Sequence, residues 1–175
     1  MRKDMPMKNI VLVGMPSAGK STIGIILAKV LGYQFLDSDL LIQEQEKELL
    51  KDIIDKRGID GFLAIENQIN REIDTDHTVI ATGGSVIYGK EAMEHLQETG
   101  VIVYIKLTLQ TISERLGNIK QRGVVLRKGQ TLKMLYEERC PLYEKYAHIT
   151  VDGENLNTEE LMENIKNALK DYENK

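Results

Sequence analysis

The segment Gly14-Met15-Pro16-Ser17-Ala18-Gly19-Lys20-Ser21 matches G-x-x-x-x-G-K-[ST] and directly follows the apolar run Ile10-Val11-Leu12-Val13. The pattern needs a buried strand that ends in a glycine-containing loop opening a helix. Loop N–H groups and the positive end of the helix then converge on one anion. Both flanks are present, with four apolar residues before the loop and a helical pattern over 20–31 after it. In such a loop Lys20 reaches the β- and γ-phosphates of a nucleoside triphosphate, and the Ser21 hydroxyl ligates Mg²⁺. Gly14, Ser17, Ala18, Gly19 and Thr22 complete the expected cradle. A plain glycine turn between strand and helix is the competing reading, but strand, loop, Lys-Ser pair and helix all agree on triphosphate.

Downstream, short apolar runs alternate with helical patterns. Strands are expected at 9–13, 34–36, 78–81, 101–106 and 148–151. Helices are expected at 20–31, 38–46, 48–57, 61–72, 90–99, 108–116, 131–146 and 158–172. In the last of these, Leu161, Ile165 and Leu169 form one apolar stripe, and Asn157 is placed to cap it. Strand–helix alternation with short connections implies an α/β fold with a parallel sheet covered by helices on both faces. At 175 residues without a linker, repeat or low-complexity tract, the chain is expected to form one domain, 1–175. A net charge of −4 gives no large phosphate-backbone footprint, so no nucleic-acid partner is expected. The apolar runs are too short for membrane spans, and 1–8 has no secretory apolar region. A single cysteine, Cys140, fits a reducing compartment. The expectation is a cytoplasmic monomer acting on a small molecule.

Three further patterns carry chemistry. Asp37-Ser38-Asp39 stands at the C-terminal end of the second strand, the edge where ligands bind in open parallel sheets. One carboxylate can hold the magnesium shell while the other takes a proton from an attacking hydroxyl; equally, Ser38 or Asp39 can cap the next helix. Thr82-Gly83-Gly84-Ser85 forms a second glycine turn at a strand end, where a ligand can approach backbone N–H groups. Arg139 can fork onto a carboxylate or a phosphate, or pair with Glu137 or Glu138. The segment 117–128 lacks an apolar pattern and carries Lys120, Arg122, Arg127 and Lys128. It reads as a basic lid, around 117–130, that closes over triphosphate, or as a solvated loop.

Together these motifs resemble the shikimate kinase family, P-loop enzymes that pass the γ-phosphate of ATP to a hydroxyl of shikimate. The likeness spans the first strand to about Val151. It comprises the P-loop, Asp37-Ser38-Asp39 for D-[ST]-D, and Gly58, Phe62 and Glu66 for G…F-R-x-x-E. It also includes Thr82-Gly83-Gly84 for T-G-G-G and Arg139-Cys140-Pro141-Leu142-Tyr143 for R-x-P-L-Y. The resemblance implies a three-layer P-loop fold with strand order 2-3-1-4-5, and an acceptor-binding helical segment around 38–75. It further implies Asp37 near Mg²⁺, Asp39 on the acceptor hydroxyl, and Gly83, Gly84 and Arg139 as acceptor-binding positions. Arg115 becomes the adenine-facing arginine and Arg122 the lid arginine, acting with Lys20 on the transferring phosphoryl.

The chain departs from the pattern at several positions. Leu63 stands where F-R-x-x-E places the arginine that clamps the shikimate carboxylate. Losing one partner of a buried charge pair costs about 2–5 kcal/mol, roughly thirty- to several-thousand-fold in affinity. Arg139 would then face that carboxylate alone; Arg71, about 12 Å further along the helix by rise, is too far to substitute in the same pose. Ser85 replaces the third glycine of T-G-G-G, Ser17 a glycine usual in the P-loop, and Arg122-Gly123-Val124-Val125 an Arg-Pro-Leu-Leu lid. Three functions therefore stay open: a shikimate kinase, a kinase of the same build for another small polyol or hydroxy acid, and a nucleotide-binding regulatory module without turnover. The chain has no N-K-x-D element for guanine, which argues against a GTPase switch.

Overall fold

In the computed structural model, residues 8–117 and 124–175 are described. Five strands form one sheet: β1 (Asn9–Val13), β2 (Gln34–Asp37), β3 (Thr78–Ala81), β4 (Gly100–Lys106) and β5 (Ile149–Asp152). Their order is β2-β3-β1-β4-β5, with every neighbouring pair parallel. Val11 at the centre faces Ile80 on one side and Ile102 on the other. All five residues of β1 are buried, as a strand covered on both faces requires, and this accounts for its unbroken apolar run.

The helices are α1 (Lys20–Leu31), α2 (Ser38–Glu46), α3 (Leu50–Arg71), α4 (Lys90–Thr99), α5 (Leu109–Leu116), α6 (Leu132–Tyr146) and α7 (Thr158–Glu173). One expectation is corrected. The helices expected at 48–57 and 61–72 run together as α3, bent at Gly58, whose φ of 70° and ψ of 176° interrupt the helical backbone. A short 3₁₀ turn, Val86–Tyr88, follows the second glycine turn and carries no periodic signal of its own. At the other end of the chain, Asn157 Oδ1 accepts the Glu160 N–H at 2.8 Å, the cap expected for α7.

Two apolar clusters hold the architecture. The larger packs the sheet against α1, α4, α5, α6 and α7, with Leu12, Val103, Leu27 and Ile165 fully buried. The smaller joins α2 and α3 through Ile42, Ile53, Phe62 and Ile69, and Val125 from the segment before α6 closes it. It fixes the 38–75 region as a wall beside the sheet's C-terminal edge. Thr82 ties the second glycine turn to the P-loop strand, because its N–H and Oγ1 both donate to Leu12 O, at 3.2 and 2.7 Å.

Candidate active site

The C-terminal edges of β1, β2 and β3 deliver three turns to one place, a cavity of about 300 Å³. Its lining includes Ser17, Lys20, Asp39, Gly83, Gly84 and Arg139, with Leu50, Phe62 and Val125 from the smaller cluster as an apolar wall. A second cavity of about 250 Å³ adjoins the loop's other side, where Ala18, Gly19, Thr22 and Arg115 meet the segment around Asn157. Arg115 also donates to Ser17 O at 3.3 Å, which holds it against the loop.

The P-loop wraps in the manner its sequence requires. Gly19 takes φ 90° as the residue before α1, and Ser17 adopts φ 68°, a left-handed conformation that explains why glycine is usual there. Lys20 is only 8% exposed, and its Nζ donates to Gly14 O at 2.6 Å and Met15 O at 2.8 Å. One of its three N–H donors is left for a phosphate. Burial lowers its pKa to about 8, against the opposing field of Asp39.

The two aspartates divide their work. Asp37 ends β2, and its Oδ1 accepts the Asp39 and Leu40 N–H groups at 3.0 and 3.2 Å, so Asp37 caps α2. That corrects the capping alternative, which gave the role to Ser38 or Asp39. The cap turns Oδ2 toward Ser21, whose hydroxyl donates to it at 2.7 Å. Asp39, one residue into the helix, faces the cavity instead. Burial, then the neighbouring Asp37, raise its pKa to about 6, with Lys20 pulling the other way.

Arg139 is 1% exposed and points inward. Among the described residues it pairs with neither Glu137 nor Glu138, contrary to that alternative: Glu137 meets Lys133, and Glu138 accepts from Tyr88 and Gln130. Its guanidinium lies 5.5 Å from the Tyr88 ring centroid and donates to Val125 O at 3.3 Å, while Nε has no partner. A Cβ on Gly84 would sit 2.9 Å from the guanidinium and 2.8 Å from Pro16, so a larger residue there would push the two apart. Tyr143, stacked on Tyr104, fixes the same turn by donating to Gly84 O at 2.6 Å.

Two participants lack an assigned role in the sequence reading. Glu66 is 2% exposed, and its Oε1 accepts the Ser85 hydroxyl at 2.6 Å. Burial raises its pKa to about 8, with the Ser85 bond opposing and Asp39 adding to the rise. A signal existed: Glu66 shares the buried face of α3 with Phe62, Ile69 and Asn70, an acid at a core position. Leu63 packs into the smaller apolar cluster and supplies no charge to the cavity. Arg122, expected as a lid arginine, and Lys120 lie outside the described residues. Of the segment expected to form a lid, Val124 and Val125 reach the cavity wall.

Known proteins resemble the chain in sequence and in fold. The sequence profile described as shikimate kinase matches residues 16–170. A shikimate kinase of Thermodesulfovibrio yellowstonii is 37% identical over 170 residues, covering 95% of this chain and 96% of its own. One of Actinobacillus succinogenes is 40% identical over 148 residues, covering 82% and 85%. Among solved structures, the shikimate kinase of Acinetobacter baumannii in complex with shikimate superposes with a TM-score of 0.88 at 31% identity, covering 97% of this chain and 96% of that one.

Proposed function

The chain belongs to the shikimate kinase family, and on that premise we propose that it transfers the γ-phosphoryl group of ATP to a hydroxyl of shikimate, giving shikimate 3-phosphate in aromatic amino-acid biosynthesis. One observation carries the reading: a single cavity brings the phosphate loop with Lys20 and Ser21 against Asp39, Gly83 and Arg139. A kinase needs donor phosphates and acceptor hydroxyl in one water-poor space, and positioning with charge stabilisation supplies most of the rate.

Ser21 Oγ and Asp37 Oδ2 form a hard-oxygen pair at the loop mouth that suits Mg²⁺, which keeps most of its shell as water and phosphate oxygens. ATP with Mg²⁺ supplies the transferable phosphoryl group and neutralises charge on it. Around it, Lys20 offers its remaining N–H, Arg115 and Thr22 border the space for the base, and Arg139 grips the acceptor carboxylate. Asp39 orients the acceptor hydroxyl and takes its proton; with its pKa raised to about 6, it is a stronger base than an exposed aspartate yet still ionised at neutral pH. Arg122 keeps the lid role that the resemblance gives it, and Val124 and Val125 favour reading 117–130 as that lid. We read the chain as one kinase domain, a cytoplasmic monomer. A regulatory module without turnover would leave the half-buried Asp39 and the buried Arg139 without a purpose.

The test is a coupled assay for ADP release with millimolar shikimate. Turnover well above background ATPase is expected, and none above it would end this assignment. Leu63 favours a second reading within the same chemistry, a different hydroxy acid, because Arg139 is the guanidinium the described site offers. Thermal shifts over a panel of hydroxy acids, with an ATP analogue and Mg²⁺, separate the two, since the true acceptor stabilises the fold by mass action.

A further inference from the structure

Among the described residues Glu66 is a buried acid with no cation bonded to it. Its Oε1 is occupied by the Ser85 hydroxyl, while its Oε2 is buried and has no partner. The point where a Cβ on Gly83 would stand is 2.5 Å from Asp39 Oδ1 and 3.0 Å from Glu66 Oε2. The two oxygens therefore border the same glycine, no farther apart than those distances laid end to end. Among the described residues, the charged groups acting on Glu66 come from three helices. Asp39 comes from α2, Lys20 from α1 and Arg139 from α6. Both cations act on Glu66 through space, but neither is within hydrogen-bond distance of Oε2. One helical turn away, position 63 is an aliphatic member of the apolar cluster.

We propose that Glu66 is carried as an un-ionised carboxylic acid whose Oε2–H is directed at Asp39 Oδ1, making it the positioning residue for the carboxylate that meets the acceptor hydroxyl. Two facing carboxyls in a dry site share a proton because they cannot both be charged. Glu66 is the more enclosed of the two, 2% exposed with an unpartnered Oε2, so it is the one that carries the proton. The donor fixes which Asp39 oxygen is free for the acceptor. The rise of the Glu66 pKa to about 8 agrees with this geometry. Leu63 and Ser85 act together here: the first withholds a cation that would ionise Glu66, and the second binds the other oxygen and sets the carboxyl plane. The proposal rests on Asp39 meeting the acceptor, as argued above.

The experiment combines infrared spectroscopy of the carboxyl stretch with kinetics at saturating ATP, where bound phosphate keeps Lys20 charged. At pH 7 the wild-type protein is expected to show a protonated-carboxyl band that Glu66→Gln abolishes. Glu66→Gln, which keeps a neutral donor, should hold kcat within about threefold, whereas Glu66→Leu should lower it at least about tenfold with the KM for ATP unchanged. The alkaline fall of wild-type activity above about pH 8 should vanish in Glu66→Gln. Leu63→Arg places a guanidinium three residues away and should remove the band by ionising Glu66. Absence of the band at pH 7, or a loss in Glu66→Gln as deep as in Glu66→Leu, overturns the proposal. The infrared readout needs no turnover, so a chain acting on a different acceptor leaves it standing.

Discussion

Ser21 Oγ donates to Asp37 Oδ2 at 2.7 Å, so the first residue after the loop lysine is joined to the residue that caps α2. One carboxylate thus does a local job with Oδ1 and a long-range one with Oδ2. The two separate by mutation. Asp37→Asn keeps an acceptor for the cap and should melt within a few degrees of wild type, while kcat falls on the order of tenfold or more as the metal shell loses its charge. Asp37→Ala should lose the kinase and also about 1 kcal/mol of stability. Melting curves beside steady-state assays check both.

Gly83 is the closest approach in the site. A methyl there would meet Asp39 Oδ1 at 2.5 Å and Glu66 Oε2 at 3.0 Å. Gly83→Ala should therefore displace Asp39 and lower kcat about a hundredfold. Nucleotide affinity, measured by calorimetry, should stay unchanged because the P-loop is untouched.

The Arg139 guanidinium lies 5.5 Å from the Tyr88 ring centroid, with its fork toward the glycine turn. Arg139→Lys keeps the charge and removes the fork. The KM for shikimate should rise on the order of tenfold or more, with the KM for ATP constant. A rise in both would point to a shared structural role instead.

Stability should depend on pH with a definite sign. Asp39 and Glu66 have folded-state pKa values raised, to about 6 and about 8, so the fold binds more protons than the unfolded chain in between. Their contribution is fully present below their ordinary values and is lost as pH rises through those figures. The melting temperature of the protein alone should fall from about pH 5 to pH 8, and Glu66→Gln should flatten the upper part. Lys20, lowered to about 8, works in the opposite sense above that pH. Calorimetric scans across this range test the slope.

Much was legible without the fold, because its causes are local. The β1 run, the glycine loop and the α1 pattern are contiguous, and loop amides point at an anion wherever that order occurs. Asp37-Ser38-Asp39 fell at a strand end by the same logic, and every expected strand lies within a residue or so of its place. Which aspartate caps α2 was not readable, since all three residues of that turn are good caps and only the position of Ser21 selects among them. Arg139 was undecided between its own helix and the cavity until Tyr88 and Val125 gave it a buried bed. The encounter of Glu66, Ser85 and Asp39 belongs wholly to tertiary structure. It joins three segments that no periodicity relates, and it depends on the crossing of α3 over the second glycine turn and on a glycine narrow enough to let two acids approach. Backbone patterns are set by neighbours along the chain, whereas a proton's place between two carboxyls is set by burial and distance, which only packing provides.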